Sequence, residues 1–178
     1  MRPQGVDITR FYLIALALIV VAGVAQATEH EVEAYGGFLE QCYEEAEVAE
    51  AKVQCIGAMA QLCMDDQDGG HTTLGMSSCL GAEGQIWDRY LNAEYKATMI
   101  WSQFTDEDEA EYFPAFAKRA EHLRAAQRAW IAFRDAECAL AYAQWGSGSM
   151  RSIVGADCQM QMTAERTIAL LKMREMFE

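Results

Sequence analysis

Six cysteines stand downstream of a segment built for export, and that combination limits the fold more than any other feature of the chain. Residues 11–24, FYLIALALIVVAGV, are almost purely apolar, follow Arg2 and Arg10, and lead into Ala-Gln-Ala ending at Ala27. This is the pattern of a secretory signal peptide with a small-residue cleavage site. The apolar run is short for a membrane span, so no membrane attachment is expected once residues 1–27 are removed. The first cysteine is Cys42, too far from Ala27 to carry a lipid anchor on a new N-terminus. The expected compartment is therefore the periplasm or the exterior. An even number of cysteines in an oxidising compartment implies three disulfides among Cys42, Cys55, Cys63, Cys79, Cys138 and Cys158, with the pairing left open by the count alone. There is no CxxC pair or CxxCH haem signature, and His30, His71 and His122 lack a ligand-like partner at short spacing. No metal or cofactor is expected.

Cleavage after Ala27 would leave 151 residues, enough for one domain with its own core. The whole chain carries 14 basic and 27 acidic residues, and loss of Arg2, Arg10 and Asp7 with the leader leaves a net charge of −14. Nucleic acid and anionic lipid surfaces would be repelled, and a cationic partner attracted.

Strand signals are nearly absent. Ala, Glu, Met, Gln and Leu dominate, and Pro114 is the only proline after the leader, so an all-helical domain is expected. Residues 36–66 read as one long helix or two packed ones. If a turn falls near Ala49, Cys42 and Cys55 stand opposite each other in a helical hairpin. Residues 65–73, DDQDGGHTT, form a loop in which Thr72 or Thr73 can cap the next helix. That helix is expected from about Leu74 to Phe104, with Leu80, Trp87, Leu91, Thr98 and Trp101 on one broad face. Residues 105–111, TDEDEAE, read as an acidic turn leading into a third long helix, with Pro114 in its first turn and its end near Trp145. The segment from Ser147 to Cys158 reads as a short excursion, and the last helix as starting near Asp157 or Thr163.

The third helix carries an unusual stripe. Phe116, Ala120, Leu123, Gln127, Trp130, Arg134, Cys138 and Ala141 recur at spacings of three and four and share one face. A buried guanidinium must be paired, because an unpaired one costs about 3–5 kcal/mol. The candidate partners of Arg134 are Glu83 and Asp88 on the preceding helix, or Glu165 on the last. Asn92 and Tyr95 lie on the flank of the preceding helix and can join. The expected role is structural, fixing the register of three helices. Catalysis needs a positioned acid, base or nucleophile, and Glu83 and Asp88 sit about 140° apart around a helix, which does not make a facing carboxylate pair. Residues 75–79, GMSSC, miss the GxSxG elbow at the last position, and GSGS at 146–149 follows a helix and lacks a lysine. No enzyme is expected.

The two segments CLGAEGQIWDRYLNAEY, residues 79–95, and LRAAQRAWIAFRDAEC, residues 123–138, resemble the LprI-like family of small exported helical bacterial proteins, named after a lysozyme inhibitor. Cys79, Glu83, Asp88, Leu91, Asn92 and Tyr95 fit the first family motif. Leu123, Gln127, Trp130, Arg134, Asp135 and Cys138 fit the second, and Cys158, Arg166 and Leu170 fill the places expected on the last helix. The resemblance implies a small disulfide-stapled helical bundle with two long antiparallel helices and shorter flanking helices. It implies pairing of Cys138 with Cys158 and of Cys63 with Cys79, which leaves Cys42 with Cys55, each link worth about 3 kcal/mol by loop entropy. It also implies a division into a leader (1–27), an N-terminal helical extension (28–62) and an LprI-like domain (63–178). Glu83, Asp88, Asn92, Tyr95, Gln127, Trp130, Arg134, Asp135 and Arg166 make up the expected polar network.

Two functions follow as expectations. The first is inhibition of lysozyme or a related cationic glycoside hydrolase, with contacts on two acidic segments: Asp65, Asp66 and Asp68, and Asp106, Glu107, Asp108 and Glu109. The second is a structural or stress-related envelope protein that binds another protein and leaves lysozyme alone.

Overall fold

The computed structural model describes residues 29–177. The signal-peptide reading of residues 1–27 lies outside them. Every regular element among the described residues is helical: α1 (29–45), α2 (Ala49–Lys52), a single 3-10 turn (Val53–Cys55), α3 (Ala58–Asp66), α4 (Thr73–Ala110), α5 (Arg119–Ala143) and α6 (Met150–Glu175). None of these helices is long and apolar enough to cross a membrane.

The chain turns back between α1 and α2 at residues 46–48, close to the expected Ala49, and the Cys42–Cys55 disulfide closes that turn with its Cα atoms 5.8 Å apart. Gly57 then takes φ +82°, a left-handed conformation that glycine adopts without a Cβ penalty, and starts α3. The Cys63–Cys79 disulfide ties α3 to α4, and Cys138–Cys158 ties α5 to α6. No cysteine is free.

The most extensive helix contact is between α4 and α6. Along α4, the order Gly84, Thr98, Trp101 meets Met160, Leu170, Phe177 on the α6 side, so the two helices run in the same direction. The antiparallel pair is α4 and α5, joined by the turn at 111–118, and α6 returns to close on both. The close α4–α6 approach uses threonines that bond across the seam. Thr98 Oγ1 donates to the Leu170 carbonyl at 3.3 Å and Thr167 Oγ1 to the Trp87 carbonyl at 3.4 Å.

Trp87 is fully buried at the centre of the larger core, edge-on to Tyr43 and Tyr90, which stack on each other at 4.2 Å. A second, smaller core joins Leu91, Leu123 and Leu170, flanked by Tyr95, Met99 and Trp130. Helix α5 contributes only Leu123, Gln127 and Cys138 as buried residues, so it lies as a slat on the α4–α6 pair.

Three boundaries differ from those read in the sequence. Residues 105–110 are helical and extend α4 to Ala110, because Asp106 and Glu109 face α5 and are used there. Pro114 and Phe116 lie in the turn before α5, which starts at Arg119. Helix α6 starts at Met150, not near Asp157. Gly155 lies within this helix, where a Cβ would come 3.1 Å from the Tyr142 ring.

Candidate functional site

An open groove of about 500 Å³ runs where α4, α5 and α6 meet the start of α1. Gly81 and Gly84 leave its floor bare of side chains, and Gln85, Asp88, Arg89, Arg134, Gln159 and Thr163 supply its polar lining. Of the α5 stripe, Arg134 reaches this groove.

The nine residues expected to form one polar network form separate groups instead. Arg134 does not reach Glu83, Asp88 or Glu165. Its guanidinium donates to Asp135 Oδ1 at 2.9 and 3.0 Å and to Thr163 Oγ1 at 3.3 Å, and it lies 5.1 Å from the Trp130 ring centroid. The neighbouring carboxylate serves it because Asp135 is one residue away and partly solvated, which avoids burying a second charge. Gln127 accepts from Arg166 Nε at 2.9 Å, and Arg166 also lies near Trp130, at 5.9 Å. Burial lowers the Arg166 pKa from its ordinary value. Asn92 donates to the carbonyl and carboxylate of Asp88, four residues back, on the exposed side of α4. Tyr95 packs with Leu91 and Leu123 in the smaller core.

Glu83 belongs to a different part of the molecule. It is fully buried, and its carboxylate accepts from Gly57 N–H at 2.7 Å, Ala60 N–H at 2.7 Å and Trp87 Nε1 at 2.8 Å. Glu83 therefore caps α3 from across the core, since Gly57 offers no side-chain cap of its own. Burial raises its pKa from the ordinary carboxylate value, against the lowering effect of those donors.

The acidic segments are also partly consumed. Asp106 accepts from the backbone N–H groups of Arg119 and Ala120, both at 2.9 Å, and ion-pairs with the Arg119 side chain, which also meets Glu109. Burial opposes ionisation of Asp106, yet these donors hold its pKa below the ordinary value. Asp65 bonds His71 and Gln61, and Asp66 accepts from the Tyr35 hydroxyl. Asp68, Glu107 and Asp108 are exposed, with no side-chain bond among the described residues.

A charged clasp not anticipated from sequence fixes the N-terminal hairpin to the bundle. Lys52 is buried and donates to the carbonyls of Tyr43 and Ala46, at 2.5 and 2.6 Å, beneath the Tyr43 ring. Glu94 pairs with Arg174 and accepts from the Tyr43 hydroxyl, while Glu175 accepts from Ala49 N–H. Burial lowers the Lys52 pKa and raises that of Tyr43, which also faces Glu94. The available signal was Lys52 itself, the lone Lys or Arg among residues 29–62.

Glu31 lies within ligand distance of Cys63 and Cys79. Both sulfurs are committed to a disulfide, so they are not thiolate ligands, and Glu31 accepts from Ser78 Oγ.

Comparison with known proteins places this architecture. No solved structure matches the chain. An uncharacterized protein of Rhizobium meliloti strain 1021 is 31% identical over 105 residues, covering 59% of this chain and 76% of that protein. The family model described as lysozyme inhibitor LprI matches residues 63–170, from the first cysteine of the α3–α4 disulfide to the α6 leucine of the smaller core. Over half of the chain thus follows that model, and the protein belongs to the LprI family.

Proposed function

We propose that this protein is an exported, non-catalytic inhibitor of a cationic glycoside hydrolase of the lysozyme type. The observation that carries the reading is the family match over residues 63–170. Charge supports it. The chain has a formal net charge of −13, and Glu33, Glu40, Glu44, Glu45 and Glu47 on and just after α1 are all exposed. Opposite charge steers such a pair together and is felt most at low ionic strength. Among the acidic residues singled out from sequence, Asp68, Glu107 and Asp108 are the ones free to meet a partner. Asp65, Asp66, Asp106 and Glu109 act within the fold. Arg134, the α5 charge of the groove, is matched by Asp135, which suits a binding surface better than an acid–base site. Loss of residues 1–27 would leave the protein free in the periplasm.

The test is turnover of lysozyme on a cell-wall substrate with purified protein from residue 28 onward. Inhibition at micromolar protein in low salt is expected. No inhibition under those conditions, together with specific binding to another envelope protein, would replace this reading with that of a non-inhibitory binding protein.

A further inference from the structure

The far end of the bundle holds a second cavity, of about 350 Å³, between the C-terminal part of α4, the start of α5 and the end of α6. Its walls are largely apolar: Trp101, Leu123, Met173 and Phe177, with Trp101 and Phe177 stacked at 5.4 Å. Two arginines reach it. Arg119 is matched by two carboxylates, Asp106 and Glu109. Arg166 is not: its bonded partner is the neutral amide of Gln127, its other neighbour is the Trp130 ring, and no described carboxylate lies within ion-pair distance.

A half-buried guanidinium with no counter-charge among the described residues is conspicuous in a chain with 27 acidic residues, because such a charge is costly to bury. Burial already lowers its pKa, so an anion brought to it would restore the lost stabilisation of the charge. The remaining N–H groups of the fork suit a carboxylate or phosphate. The apolar walls beside it suit a hydrocarbon or aryl body, and the volume is near the lower end of ordinary ligand sites, roughly 300–1,000 Å³. His122 at the rim adds a second donor.

We propose that this cavity binds a small anionic amphiphile, with its carboxylate or phosphate on Arg166 and its apolar body against Trp101, Leu123 and Phe177. The site uses none of the carboxylates assigned to hydrolase docking, and its test does not depend on that reading.

Calorimetric titration with decanoate, below its aggregation threshold, provides the test, with decanol as the neutral control. Saturable decanoate binding is expected, tighter than decanol by at least about tenfold. Arg166→Met should remove that preference and leave the two probes equal. Phe177→Ala, on an exposed C-terminal wall, should weaken both probes several-fold while the helical circular dichroism stays unchanged. The ratio of the two probes is read on one protein at a time, so loss of stability in the arginine variant does not obscure it. Co-sedimentation with phosphatidylglycerol vesicles, abolished by Arg166→Met, would make a lipid headgroup the source of the anion. Decanoate binding without co-sedimentation would make it a free amphiphile. Equal affinity of the unmodified protein for decanoate and decanol, or no saturable binding of decanoate, overturns the proposal.

Discussion

Glu83→Ala tests the energetics of the core most sharply. The substitution removes the acceptor shared by Gly57 N–H, Ala60 N–H and Trp87 Nε1. An unsatisfied buried donor costs about 1–3 kcal/mol. The three losses are not additive, because water can enter the space left by the carboxylate and serve some of the donors. The removed side chain also spares the cost of burying a carboxylate. A net loss of about 3–5 kcal/mol is expected. Against a typical stability of about 5–15 kcal/mol, that is a large share, and for a domain of this size it lowers Tm by roughly 6–20 °C. Thermal unfolding followed by circular dichroism measures the global effect. Hydrogen exchange at the Gly57 and Ala60 amides measures the local one, and both should lose protection relative to amides of α6. A fall in Tm of less than about 2 °C, with Gly57 and Ala60 still protected, would refute the assignment of Glu83 as the remote cap of α3.

Glu83 also sets a pH dependence. Its folded pKa is raised by burial, so its contribution to stability is fully present below the unfolded value, about 4.3, and is lost as pH rises through the folded value. Glu83→Gln should flatten that part of a stability–pH profile. Asp106 has the opposite sign: its pKa is lowered, so its contribution is lost as pH falls below the ordinary Asp range, and Asp106→Asn should flatten the acid limb. Asp106→Ala should cost about 1 kcal/mol as a lost helix cap and raise exchange at the Arg119 and Ala120 amides in particular, since Lys118 offers no side-chain cap. Replacing Cys138 and Cys158 together by Ala should cost about 3 kcal/mol in denaturant unfolding, from the entropy of a loop of about 20 residues. The same change should loosen α5 before α4 or α6, because α5 buries so few residues.

The parts of the fold that were legible in the sequence are those set by periodicity. The stripe Leu123, Gln127, Trp130, Arg134, Cys138 and Ala141 faces inward along α5, and the turn before α2 falls within a few residues of Ala49, because spacing on a helix fixes which side chains share a face. The parts that were not legible depend on tertiary partners. Residues 105–110 look like a turn by composition, yet they stay helical because Asp106 and Glu109 find the start of α5 and Arg119. The segment from Ser147 to Cys158 looks like an excursion, yet it is helical from Met150, with Gly155 packed under Tyr142. The choice of Asp135 over Glu83 as the partner of Arg134, and the role of Glu83 as a remote cap, turn on where α3 lies, and no local pattern in α3 announces it. The same limit hides the Lys52 clasp and the setting of Arg166, which has no carboxylate partner among the described residues, since both are defined by what three or four helices bring together.

The inhibition constant of a cationic lysozyme, measured across ionic strength, bears most directly on the functional account. Opposite charge and a binding surface predict inhibition in the micromolar range or below at about 20 mM salt, weakening by at least tenfold at about 300 mM, where the screening length falls to roughly 6 Å. Undiminished lysozyme turnover across the series, with a correctly folded and fully disulfide-bonded protein, would contradict it.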